Sequence, residues 1–124
     1  MARLDRDSAA EGPVVRGFAD GGFVVDEHVF RTLRLTPLGA AEWNPPPLAE
    51  LTVADLEPLL ALQPAPEFLL LGTGARLTHP PRALREALER RGVGLEVMDS
   101  RAAARIWGLL RAEERWIAAA LMAL

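Results

Sequence analysis

The sequence predicts a single α/β domain, with a mixed, mostly parallel central sheet, helices packed on it, and an antiparallel β-rich part at the N-terminal side. Three observations predict it. The C-terminal half holds two near-continuous apolar runs, "EFLLLG" and "GLEVM", and such runs belong to strands buried on both faces. Each is followed by a stretch of helical periodicity, so right-handed crossovers in a parallel sheet are expected. The first part, Pro13 to about Leu38, is rich in β-branched and aromatic residues broken by turn signals, the pattern of short antiparallel strands. At 124 residues the chain has room for one core and not two. The expected domain is 13–124, behind a flexible tail at 1–12.

In order along the chain, "ADGG" at 19–22 predicts a tight hairpin with Phe18 and Phe23 on its two arms. The segment 40–51, "AAEWNPPPLAEL", predicts a loop, because consecutive prolines suit neither helix nor ladder. Trp43 within it is expected to plug the edge of the core. "TVAD" predicts a helix start, with Thr52 as N-cap and Asp55 completing a capping box. Pro58 should then shorten or kink that helix. After the strand "EFLLLG" at 67–72, "PPRALREALERRG" reads as a helix with proline at its start, Leu84, Ala87, Leu88 and Arg91 on one stripe, and Gly92 just past its end. "DSRAAARIWGLLRAE" reads as a helix N-capped by Ser100, with Ala103, Ile106, Trp107 and Leu110 turned inward. "RWIAAALM" reads as a final strand.

Composition narrows the functions. There is no cysteine, which removes disulfides, thiolate metal sites and a cysteine nucleophile. The two histidines, His28 and His79, stand far apart and suggest no metal spacing, so no metal or other cofactor is expected. No apolar run reaches the ~20 residues of a bilayer span. The N-terminal residues carry acids and lack an apolar signal region, so a cytoplasmic setting is expected. All 14 basic side chains are arginine, and charge is uneven: −6 over residues 1–75 and +3 over 76–124. That excess is far below that of nucleic-acid domains, so no nucleic-acid partner is expected.

"LLLGTG" poses the chemical question, since strand, glycine loop and helix is a common phosphate cradle. The dinucleotide fingerprint needs a third glycine, and position 77 is leucine. The P-loop needs a lysine that the chain lacks. What stays open is an anion crevice at the carboxyl edge of the sheet, where ligands of open α/β folds bind. Its candidate residues are Gly72, Thr73, Gly74 and Arg76 from one loop, with Asp99, Ser100 and Arg105 from the next. Arg101 and Arg105 stand near the positive end of a helix dipole, where Asp99, an acidic partner or a small anion could neutralise them. Ser100 has no G-x-S-x-G around it. No catalytic residues are assigned.

These residues also resemble a family. "LLLGTG" followed by "VGLEVMDSRAAARIWGLLRAEERWIAAAL" is similar to a small family of domains of unknown function, which includes the mitochondrial complex I assembly factor three and an adipogenesis-associated domain protein. Gly17-Phe18 and Gly22-Phe23, with Trp43, extend the resemblance over nearly all of the chain after residue 12. Gly72, Thr73, Gly74, Met98 and Asp99 match the family pattern, and Ser100 stands for its threonine. Arg105 matches the arginine of R-T-Y-N, whereas Ile106, Trp107 and Gly108 replace the rest. Glu113 and Arg115 match E-x-R. The resemblance implies a mixed α/β sheet and a non-enzymatic, protein-binding or assembly-factor role linked to respiratory complex I. The alternative is a small-anion-binding domain or minor enzyme at the crevice.

Overall fold

A computed structural model describes residues 12–124; the expected tail at 1–12 therefore lies almost wholly outside the described residues. Strands β1 (Gly17–Ala19), β2 (Gly22–Val25) and β3 (His28–Phe30) form a three-stranded antiparallel sheet. Asp20 and Gly21 both take positive φ between β1 and β2, as two-residue hairpin turns require. Phe18 and Phe23 face each other across that hairpin, edge to face, with centroids 6.0 Å apart.

The larger sheet has the order β5-β4-β8-β6-β7, from β4 (Leu33–Thr36), β5 (Gly39–Ala41), β6 (Phe68–Gly72), β7 (Gly94–Met98) and β8 (Ala118–Leu121). The expectation of a mostly parallel sheet is corrected here. β6 runs parallel to both β7 and β8, but β4 runs antiparallel to β8 and to β5. Half the pairings are thus antiparallel, because β8 joins the crossover part of the chain to a strand of the N-terminal meander. β5 is a second correction: Ala40 and Ala41, read as loop, lie in a strand opposite Leu35 and Arg34.

Between β5 and β6, one 3₁₀ turn spans Leu48–Glu50 and another Val53–Leu56, which leads into α1 (Glu57–Leu60). The capping box of Thr52 and Asp55 is present. Pro58 sits in the first turn of α1, where its missing N–H costs nothing, and what precedes it is 3₁₀. Helices α2 (Arg82–Arg90) and α3 (Ser100–Ala112) are the two crossovers. Gly92, with φ of +76°, follows α2 as expected. Arg91, just before it, bonds Glu57 of α1 at 2.6 Å, which holds its guanidinium above the ordinary arginine range.

β7 and β8 lie on opposite sides of β6, so two crossovers of the same hand place α2 and α3 on opposite faces. One face carries Leu84 and Leu88 of α2 with Leu51, Leu56 and Leu59 over Leu69, Leu71, Ala118 and Ala120. The other carries Ala103, Ala104 and Trp107 of α3, together with Phe23 and Val25 of the small sheet, over Leu33, Leu35, Leu70, Ala119 and Leu121. Trp43 is the expected plug, 7% exposed, its indole donating to the Leu121 carbonyl at 3.2 Å.

Candidate functional site

Neighbouring parallel strands β6 and β7 send their following loops to opposite faces of the sheet. In open α/β folds that divergence opens a ligand crevice at the carboxyl edge. At this edge Gly72 pairs with Met98 at the strand ends, which sets Thr73 and Gly74 beside Ser100; Arg76 follows in the first loop and Arg105 lies further along α3. The two loops are then bonded to each other. Thr73 N–H donates to the Met98 carbonyl at 2.9 Å, and Ser100 N–H to the Gly74 carbonyl at 2.9 Å.

Ser100 is the centre of this junction. It is fully buried; its hydroxyl accepts from Gly74 N–H at 2.8 Å and donates to the Met122 carbonyl at 2.7 Å. One side chain therefore ties together the β6 loop, the start of α3 and the exit of β8. The expectation that Ser100 caps α3 is corrected. Asp99 is the N-cap, its carboxylate accepting from Ala102 N–H at 2.8 Å, and Ser100 is the first helical residue. Both residue types cap helices well. Here the serine hydroxyl is engaged across the sheet, so the carboxylate takes the orphan amide.

Each glycine of Gly-Thr-Gly has its own reason. Gly74 has φ of +102°, the left-handed region that side chains resist. Gly72 has no such φ; it is required by proximity. A Cβ there would stand 2.8 Å from the Ser100 Cα and 2.9 Å from a Leu121 methyl. Thr73 closes the loop upon itself, its hydroxyl donating to the Arg76 carbonyl at 2.7 Å and accepting from Thr78 N–H at 3.1 Å.

The charged side chains look outward. Arg76, Arg101 and Arg105 are exposed. Arg101 stacks over the Phe18 ring at 5.2 Å, which ties α3 to the small sheet. Among the described residues the ion pairs are Arg91–Glu57 and Arg115–Glu67, and neither Arg101 nor Arg105 pairs with Asp99. Arg115 also lies over Phe68 at 5.6 Å, so the arginine of Glu113-x-Arg115 anchors the chain just before β8. His79 is exposed, and no hydrogen bond joins it to Asp99 among the described residues. No group of three or more His, Asp or Glu among those residues could hold a metal ion.

Two features of the junction escaped sequence reasoning, namely the Met122 acceptor and the Trp43–Leu121 bond. Their partners lie 22 and 78 residues apart, and no local pattern signals them. Among the described residues, grooves open elsewhere along both faces of β5 and beside α2.

Comparison with known proteins follows the same outline. The family described as "Protein of unknown function (DUF498/DUF598)" matches residues 15–122. NADH dehydrogenase (ubiquinone) 1 alpha subcomplex assembly factor 3 of Danio rerio is 32% identical over 115 residues, covering 92% of this chain and 66% of that protein. The chain thus spans about two thirds of the length of that relative. A crystal structure of a Bordetella parapertussis protein superposes with a TM-score of 0.82 at 33% identity, covering 92% of this chain and 98% of that one. Another, described as an outer membrane protein from Bartonella henselae, gives 0.79 at 28% identity, covering 92% and 97%. No described helix of the present chain is long and apolar enough to cross a membrane.

Proposed function

The chain belongs to the DUF498/DUF598 family, and from that membership we propose that it is a non-enzymatic, partner-binding domain of the assembly-factor kind, acting in the building of a respiratory NADH dehydrogenase. The observation that carries this reading is the similarity to an assembly factor over 92% of the chain. The chemistry of the carboxyl edge supports it. The buried serine hydroxyl is bonded on both sides, which leaves it neither a base nor a reachable substrate. Deletion of the chain in its native host should lower the amount of assembled NADH dehydrogenase, with restoration by the intact chain. Unchanged assembly would sink the reading. A cytoplasmic setting goes with the proposal, and cell fractionation checks it.

A second reading keeps the anion site, and one observation favours it: Arg76, in the loop after β6, and Arg105, on α3, are exposed without an ion pair to a described residue. In that reading Gly72, Thr73, Gly74, Asp99 and Ser100 build the edge, and the two guanidinium groups take a small anion or a partner's carboxylate. Calorimetry with phosphate and citrate tests it. Arg105→Ala should weaken a genuine site by roughly 1.5–3 kcal/mol. Equal heats for the two chains would leave Arg105 a solvated charge.

A further inference from the structure

The two edges of the five-stranded sheet are finished differently. β7 presents the exposed side chain of Glu96, and its Leu95 carbonyl is taken by the Arg85 guanidinium at 2.9 Å. These are the usual means by which an edge is made unreceptive. β5 carries no charge and no side-chain cap, and is guarded only by its shortness. It consists of Gly39, Ala40 and Ala41, pairs among the described residues with β4 alone, and follows Leu38, which is 76% exposed. The turn between β4 and β5 has two residues, so Thr36 and Gly39 form its hydrogen-bonded pair. Alternation along the ladder then turns the N–H and C=O of Ala40 away from β4, toward the open side.

A groove runs along each face of this strand. The one of about 300 Å³ lies on the α1 face and is lined by Arg34, Thr36, Pro58 and Leu59. The other, about 580 Å³, lies on the small-sheet face and is lined by Gly12, Pro13, Val25, Asp26, His28 and Phe30. Both share Leu38, Gly39 and Ala40. An added strand places alternate side chains on opposite faces, so one extended segment would fill both grooves. Arg34 is half-buried and forms no ion pair with a described residue, so the first groove favours an acidic side chain. A second copy of the chain fits less well. Pairing β5 with itself brings only glycine and alanine to the grooves and a second Arg34 to the first.

We propose that the open side of β5 accepts an extended segment of a partner protein as a sixth strand, with acidic side chains toward Arg34 and apolar ones toward Val25 and Phe30. This rests on the partner-binding reading above and names its surface.

The test uses the intact chain and a short labelled peptide alternating valine and glutamate, with a valine–lysine counterpart. The glutamate peptide is expected to shift the amide resonances of Gly39, Ala40 and Ala41 and to bind about tenfold more tightly than the lysine peptide. Arg34→Gln should erase that preference. Ala40→Pro removes the outward donor and should abolish binding. Ala41→Glu, which keeps every backbone bond and sets a charge like the peptide's own beside Arg34 in the first groove, should do the same to the glutamate peptide should the proline variant fail to fold. Arg82→Ala, at an exposed position of α2, should bind as the parent does. Resonance shifts confined to other elements, equal binding of the two peptides, or a β5-paired dimer that the peptide does not displace would each overturn the proposal. A native partner retained by both edge variants would refute this surface while leaving the assembly reading intact. Unchanged assembly on deletion, beside the expected peptide behaviour, would do the reverse.

Discussion

Gly72, Gly74 and Ser100 share one small volume, and each is held there by a different physical constraint. Gly74→Val places a β-branched residue at φ of +102° and should cost on the order of 1–3 kcal/mol. Gly72→Val meets the Ser100 backbone instead; overpacking of that kind costs about 1–3 kcal/mol or more. Urea denaturation of both variants measures the effect. Ser100→Ala removes a hydroxyl that serves a buried N–H and a buried carbonyl at once. Its expected cost is about 1–3 kcal/mol for each group left unpaired. A variant as stable as the parent would mean that water enters the junction and replaces the hydroxyl.

At the scale of elements, α3 is fixed by Trp107. Its ring is fully buried between helix and sheet, and its indole N–H donates to the Pro13 carbonyl at 2.8 Å. Trp107→Ala should therefore cost roughly 3–5 kcal/mol, read as a lowered denaturation midpoint. The strands at 68–72 and 94–98, both longer helices and the stripe through Ala103 and Trp107 were legible in the sequence, because periodicity and apolar runs report burial directly. Other features were not. "Asp99-Ser100" offers two good caps in succession, and only the arrival of the Met122 carbonyl from another strand decides between them. "AAAL" at 118–121 is equally apolar whether its neighbours are parallel or antiparallel, so the mixed character of the sheet was hidden. β5 is too short and too poor in β-branched residues to announce itself. The adjacency of the two site loops could be read from consecutive crossover units; their closure by Ser100 could not.

For the whole molecule, the small sheet and the large one share a core. Phe23 and Val25 pack in the same cluster as Leu33, Leu35, Trp107 and Ile117. Phe23→Ala should thus lower the stability of the entire domain by about 3–5 kcal/mol, not merely loosen a hairpin. Circular dichroism and tryptophan fluorescence should still report one coincident transition, as a cooperative two-state domain requires. An earlier transition limited to the strands would show the small sheet to be a separate folding unit.

The position of β8 has a consequence for how the chain is made. It supplies the central slot of the sheet, between β4 and β6, yet it is translated after both of them. On the ribosome the β4–β5 hairpin and the β6–α2–β7 unit can each take shape while the slot between them is vacant. During that interval β4 and β6 both present unpaired backbone toward the gap. Synthesis thus proceeds through a period of vulnerability to wrong pairing, which ends when residues 118–121 emerge and close the sheet from within.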